Sequence, residues 1–349
     1  MNKIIHVYVD YNNNKFVPAM AELLSNNDTG AEHAYIVIGN SRLEGGIKVS
    51  ELNNNFLDAI KSILIVRREK PSAIIFHSLP RRFYKLIYLI PLIVNTKKYL
   101  VVWGGEINHI AHDNNLRQRI SRLINKMFIR KMDGYVSGLE SDYLKISKVF
   151  GGNGTWINLP ALYPSNIIAN VKYKQRCNIK NIMIGASNLK RNMHLDVINK
   201  LASMPVPEDV LYHFPFSYGD ASESYKNMVK QLAAEKLNDQ VIFYDAFMPF
   251  EDYLLILRKM DCAFFISEEQ QGLGNINQLI ASGAQVFVKK NSDIDKFFQS
   301  LDIVLFDFVD FCYRIPDPEI LFSNHKKISA HQSLEASILK MKDFFVQHK

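Results

Sequence analysis

Three cysteines in 349 residues, Cys177, Cys262 and Cys312, stand at wide, unpatterned spacing, which excludes a secreted disulfide framework and a thiolate-based zinc site. Long apolar runs are missing too. The longest, Leu86 to Val94, covers nine residues and contains Pro91, whereas a spanning helix needs about twenty. No apolar leader opens the chain, so the expectation is a cytosolic protein. Internal repeats and low-complexity tracts are also lacking, apart from the Asn-rich stretches 12–14 and 53–55, which read as loops. What is there is ordinary globular chemistry: 48% apolar and 22% charged residues, enough chain for about two domains and too much for one small module.

The net charge of +7 is unevenly placed. Residues 1–160 hold 21 Lys and Arg against 13 Asp and Glu, whereas residues 161–349 hold 21 against 22. An excess confined to one half suits an anionic partner, or a basic solvated surface.

Short β-branched or aromatic runs alternate with helical-period stretches, the pattern of βαβ units and parallel sheets covered by helices. In the first half, strands are predicted at Lys3–Val9, Tyr35–Ile38, Ala73–Phe76, Tyr99–Trp103 and Gly134–Ser137, with helices near 15–25, 55–69, 81–93, 114–132 and 140–149. In the second half, strands fall near 181–184, 210–214, 240–243, 261–266, 284–288 and 302–305. Helices lie between them near 192–203, 221–236, 249–259, 274–282 and 292–299, and a final helix follows at about 328–347. Gly- and Pro-rich residues between the series place a linker at about 158–178. The domains expected are 1–160 and 161–327, with 328–349 packing back on the first.

Chemistry gathers at strand ends. After the strand at 181–184 come Gly185, Ser187, Lys190, Asn192 and His194, small and polar residues with two cations before a helix, an arrangement suited to an anion. Asn192 also reads as a plain N-cap. After the strand at 261–266, Glu268-Glu269-Gln270-Gln271-Gly272-Leu273-Gly274 leads into a helix. Its two glycines let backbone approach a pyrophosphate, and Glu268 or Glu269 suits a ribose diol. A third loop, Pro215 to Asp220 with Ser217 and Tyr218, follows another strand and is expected to reach the same crevice. In the first half, Glu106 after Val101-Val102-Trp103 is the first candidate for a general base, with His77 and Asp10 as alternatives on the same sheet edge. A lone His or Asp at a strand end is more often a turn or capping residue. His109 and His112 lack further ligands, so no bound metal is expected.

Cations cluster in two stretches. Pro80–Lys98 carries five without an acid, and Asn114–Lys131 interleaves Ile120, Leu123, Ile124, Met127 and Ile129 with Arg119, Arg122, Lys126 and Arg130. Such helices lie on an anionic leaflet, or turn an apolar stripe to the sheet. A nucleic-acid module is not recognisable.

The chain resembles glycosyltransferase family 56, the dTDP-4-acetamido-4,6-dideoxygalactose (Fuc4NAc) transferases of enterobacterial common antigen. The likeness rests on Ile5-His6-Val7, Glu32-His33, Phe76-His77, Trp103-Gly104, Gly185-x-Ser187 with Lys190, Asn192 and His194, Pro215 to Tyr225, and Gln270-Gln271-Gly272-x-Gly274 leading to Gly283. The resemblance implies a GT-B fold of two Rossmann-like doubly wound domains facing across a cleft, 1–160 binding the acceptor and 161–327 binding the nucleotide sugar. It further implies inverting, metal-independent transfer from a dTDP-sugar, without a cofactor, to a polyprenyl-pyrophosphate-linked saccharide at the cytoplasmic face of the bacterial inner membrane. An O-antigen intermediate would suit the same machinery. Glu106 and Lys190 match an acidic and a basic position of the family, whereas Glu268-Glu269 and Arg191 depart from it. Competing expectations are a retaining transferase using Glu268 or Glu269, a sugar-nucleotide epimerase, and a nonenzymatic module binding membrane or nucleic acid.

Overall fold

A computed structural model of the chain describes residues 2–9, 16–38, 48–52, 56–79, 90–102, 116–168, 170–219, 221–237, 240–268 and 271–347. The chain divides into two compact units, Met1–Pro164 with Glu335–Lys349, and Ser165–Leu334.

Among the described residues, unit one runs β1 (Lys3–Val9), α1 (Phe16–Asn26), β2 (Glu32–Ile38), β3 (Lys48–Leu52), α2 (Phe56–Glu69), β4 (Ala73–His77), α3 (Ile90–Ile93), β5 (Lys97–Val101), α4 (Leu116–Ile129), β6 (Gly134–Ser137), α5 (Glu140–Phe150) and β7 (Thr155–Asn158). These strands make a seven-stranded parallel sheet of order β3-β2-β1-β4-β5-β6-β7. Every residue of β4 is buried, because a central parallel strand is covered on both faces, and its sequence therefore reads as an unbroken apolar run. On one face Ile5, Val7, Ile36, Ile74, Phe76 and Leu100 pack against Val66 of α2, Phe128 of α4 and Ile146 of α5. The opposite face receives α12 (Leu334–Val346), whose Phe344 and Phe345 meet Tyr99 and His33 at ring-centroid distances of 5.1 and 4.7 Å.

Unit two runs β8 (Asn181–Ile184), α6 (His194–Ala202), β9 (Leu211–Phe214), α7 (Glu223–Leu237), β10 (Val241–Phe243), α8 (Phe250–Lys259), β11 (Cys262–Phe265), α9 (Leu273–Ala281), β12 (Gln285–Val288), α10 (Asp293–Ser300), β13 (Phe306–Asp307) and α11 (Pro318–Gln332). Its parallel order is β10-β9-β8-β11-β12-β13. Buried aromatic residues from β9, β11 and β12 and from the loops beyond the strands, among them Phe214, Phe216, Phe264 and Phe311, fill the core. At the amino ends of β8 and β11, buried Arg176 donates to Asp261 at 2.8 Å and to the backbone of Arg258 and Ser282. Asp261 also accepts the Lys180 and Asn181 N–H groups. That pair fixes where the second sheet begins.

Several boundaries differ from expectation. β3 and β7 were not foreseen. Both are edge strands whose sequences, Lys-Val-Ser-Glu-Leu and Thr-Trp-Ile-Asn, mix polar with apolar residues, so apolar content alone does not mark them. The last strand is β13 at Phe306–Asp307, not 302–305. The final helix is two, α11 and α12, broken at Ser333; α11 starts where Asp317 accepts from Glu319 N–H and Pro318 takes the first turn, a start signal present in the sequence. Of the helix expected over 81–93, Ile90–Ile93 is helical and residues 80–89 lie outside the described ones. None of the described helices is long and apolar enough to cross a membrane.

Replacing Asp261 with Ala strands a buried guanidinium and two backbone donors. The expected loss is about 3–5 kcal/mol, read by urea denaturation. A change below about 1 kcal/mol would remove the pair from the account of the fold.

Candidate active site

In unit two the chain order reverses at β8, with β9 on one side and β11 on the other. Helices leaving β8 and β11 diverge to opposite faces there, so a crevice opens beyond the carboxyl ends of these strands. Both glycine-bearing junctions sit at that point. Gly185 has a φ of +70° and donates its N–H to Phe264 of β11 at 3.0 Å. A Cβ on it would lie 2.9 Å from His194 Nε2 and 3.0 Å from Asn192 Cβ, so only glycine lets those residues close on the strand end. Gly272, with a φ of +66°, is the N-cap of α9, and a Cβ there would lie 2.9 Å from Ala186 Cβ. The two junctions touch.

Asn192 organises the first junction but is not the N-cap of α6. That place belongs to Met193 in the left-handed region, with no side-chain cap. Asn192 is instead a buried clamp. Its Oδ1 accepts from Ala186 N–H at 3.1 Å, and its Nδ2 donates to the Ser187 carbonyl and to Ser187 Oγ, each at 2.9 Å. Ser187 is buried under this clamp, and its hydroxyl hydrogen remains to be donated. His194 opens α6 and bonds Tyr225 of α7 through Nδ1 at 3.1 Å. Its Nε2 makes no hydrogen bond among the described residues. Burial lowers the His194 pKa to about 4, against an opposing pull from the Ser187 backbone, so the ring is neutral near pH 7. Lys190 is exposed, with its ammonium 5.6 Å from the centre of the Tyr225 ring.

The Pro215–Gly219 loop joins the same junction through Asn188. That buried amide donates to the Phe216 carbonyl at 3.1 Å and accepts from Ala221 N–H, while its own N–H reaches the Tyr218 carbonyl at 2.8 Å. Ser217 is half-buried and Tyr218 exposed at the turn this bond creates. Asn188 and Tyr225 are the residues that sequence reasoning passed over. The first stood inside the expected loop with a side chain able to bond backbone, and the second lay on a helix with no local signal.

Gln271 precedes Gly272, and neither polar atom of its buried amide has a partner among the described residues. Gly274 answers to packing, since a Cβ there would lie 2.5 Å from the Ser165 carbonyl oxygen. Glu268 is exposed and paired with Lys289. Glu269 and Gln270 lie outside the described residues.

In unit one the order reverses between β1 and β4. His77 ends β4, beside Tyr8 of β1 and Val101 of β5 in register, and Ser78 follows with a φ of +74°. It is 3% exposed, and burial lowers its pKa to about 3. Its Nε2 lies 2.9 Å from His6 Nδ1. Asp10 and Glu106 lie outside the described residues, as do His109 and His112. Among the described residues no group of acidic, His and Cys side chains is placed to hold a metal.

The basic helix α4 is split. Ile124 and Ile129 face the core, whereas Ile120, Leu123 and Met127 are 48%, 58% and 51% exposed beside exposed Arg119, Arg122 and Arg130. The expectation of a stripe turned wholly to the sheet fails for these three, which are exposed while Asn125 and Phe128 are buried.

Solved structures of the same fold cover nearly the whole chain at low identity. Sucrose-phosphate synthase from Thermosynechococcus elongatus matches at 12% identity and a TM-score of 0.69, covering 99% of both chains. Anabaena HepE, solved with UDP and glucose, matches at 11% and 0.63 over 98% of this chain and 99% of that one. The lipopolysaccharide outer core galactosyltransferase WaaB matches at 9% and 0.61 over 99% of each. These likenesses give the fold, which is GT-B. Residues 1–310 match the model of the 4-alpha-L-fucosyltransferase family, glycosyl transferase group 56, and the chain is a glycosyltransferase of that family.

Proposed function

We propose that the chain transfers a 4-acetamido-4,6-dideoxyhexose, Fuc4NAc or a close relative, from a dTDP-sugar to a polyprenyl-pyrophosphate-linked saccharide in bacterial surface polysaccharide synthesis, with inversion. The observation that carries this reading is the meeting of the Gly185 and Gly272 junctions at the β8/β11 reversal, in a chain of this family. Backbone N–H groups of the clamped loop and the start of α9 suit the diphosphate of the donor, and the unpartnered Gln271 amide suits a polar group of the same ligand. As the sugar–phosphate bond breaks, negative charge grows on the leaving dTDP, and Lys190 and Ser187 meet it. Unit one supplies the general base from Glu106, His77 or Asp10, which takes the proton of the attacking acceptor hydroxyl. Transfer is proposed to need no metal and no cofactor beyond the donor.

The lipid-linked acceptor requires a membrane surface. The exposed Ile120, Leu123 and Met127 among arginines support peripheral contact with an anionic leaflet at the cytoplasmic face of the inner membrane, each cation near the surface adding about 1 kcal/mol. The retaining alternative would have Glu268 or Glu269 serve the donor sugar, and the pairing of Glu268 with Lys289 speaks against the first of these.

Three measurements test this reading. Thermal melts with dTDP, UDP and GDP should show selective stabilisation by dTDP, and Asn192→Ala should weaken that shift by opening the loop. Equal silence toward all three nucleotides would sink the reading. Lys190→Ala should lower kcat roughly 10²-fold at saturating donor, whereas a rise in donor KM alone would confine Lys190 to ground-state binding. Leu123→Glu with Met127→Glu should abolish sedimentation with anionic phospholipid vesicles while leaving the melting temperature unchanged; undiminished sedimentation would move the membrane contact elsewhere.

A further inference from the structure

Unit one holds a row of imidazoles that begins at His77, one of the candidate bases, and continues through two further histidines with no part yet in the transfer. From His77 Nε2, a contact of 2.9 Å leads to His6 Nδ1; from His6 Nε2, one of 3.0 Å leads to His33 Nδ1; from His33 Nε2, one of 2.7 Å leads to Thr29 Oγ1. Strand register explains the row. His33 pairs with Ile4, His6 with Ile75 and Tyr8 with His77, so all three histidines point to the same side of the sheet and step diagonally from the end of β4, across the middle of β1, to the start of β2.

The row is dry along its length and wet at one end. His6 is fully buried and Thr29 is 2% exposed. The ring of Tyr35 stacks on His6 at 4.9 Å and Phe345 of α12 sets its edge on His33 at 4.7 Å. Thr29 and His33 line a surface cavity of about 410 Å³ together with Asp28, Glu32 and Tyr35. The buried hydroxyl of Tyr35 has no partner among the described residues.

Counting hydrogens restricts the row to two states. Burial, with the neighbouring histidines adding to it at His6, keeps the rings neutral near pH 7, so each carries one N–H. Each contact needs one hydrogen and no more. Either all three rings carry it on Nε2, with His33 donating to Thr29, or all three carry it on Nδ1, with Thr29 donating to His33. A mixed set would leave one contact with two hydrogens or with none. Only the first state leaves Nδ1 of His77 with a bare lone pair.

We propose that His6, His33 and Thr29 are positioning residues that form a proton relay for His77, which rests on the reading that His77 is the base of the transfer. As the acceptor oxygen bonds the sugar and the sugar–phosphate electron pair leaves with dTDP, His77 Nδ1 takes the hydroxyl proton. The Nε2 proton of His77 passes to His6 Nδ1, that of His6 Nε2 to His33 Nδ1, and that of His33 Nε2 to Thr29 Oγ1. Thr29 gives its own hydroxyl proton to water in the cavity. No ring holds a full positive charge at the end, and the row stands in the second state. It returns by the reverse shift once product has left and solvent reaches His77.

The test uses the full chain with ¹⁵N-labelled histidine. Side-chain NMR near pH 7.5 should find one tautomer, Nε2–H, shared by His6, His33 and His77. Different tautomers among the three would overturn the relay. Thr29→Val, close to isosteric, should lower kcat roughly tenfold and raise the solvent isotope effect on kcat, with donor KM and the melting temperature near those of the wild type. An unchanged kcat and isotope effect in a folded Thr29→Val chain would also overturn it. Absence of sugar transfer by the wild-type chain would overturn the functional reading and with it the relay's task; transfer with disagreeing tautomers would overturn the relay alone.

Discussion

Everything in the second unit follows from one constraint on chain direction: β8 and β11 lie side by side and parallel, yet the helices that follow them must leave on opposite faces. Backbone N–H groups from both junctions are therefore gathered at one spot. The sequence responds with glycine wherever a Cβ would collide, at Gly185 against His194 and Asn192 and at Gly272 against Ala186. It responds with buried amides wherever the loop needs internal partners, at Asn188 and Asn192. Both hold open the place where chemistry is proposed to happen.

The first unit meets the same constraint between β1 and β4 and fills it differently. No glycine stands within either strand. His6 and His77 lie there, on a sheet face where aliphatic side chains would be simpler to bury. A polar row in such a place is stable only when each member has its partner, and each inner ring uses both nitrogens. On the other face of the sheet Ile5, Val7, Ile74 and Phe76 belong to one apolar cluster.

Much of this was legible in the sequence, because buried parallel strands are written as compact apolar runs: β1, β6 and β8 match their expected bounds residue for residue. The edge strands β3 and β7 were illegible, since at least half of the residues in each are polar. The strand-end loops were legible as places rich in Gly, Asn and Lys. The division of labour within them was not. Asn192 reads as a cap by position, and only coordinates reveal that Met193 takes the cap while Asn192 turns inward. His6, His33 and His77 each stand in segments that carry the family resemblance, but that they form one row was illegible for a related reason. Its members stand at 6, 33 and 77, on separate strands, and their meeting depends on register, which no local pattern encodes.

The placement of α12 carries a consequence for how the polypeptide comes into being. Its aromatic pair, Phe344 and Phe345, covers the face of a sheet whose strands were all synthesised before residue 160. On the ribosome, that face stays uncovered while the entire second unit is translated and closes its own core. The first unit in chain order is thus the second to finish, and during that interval its row of histidines and tyrosines stands open to water and to chaperones.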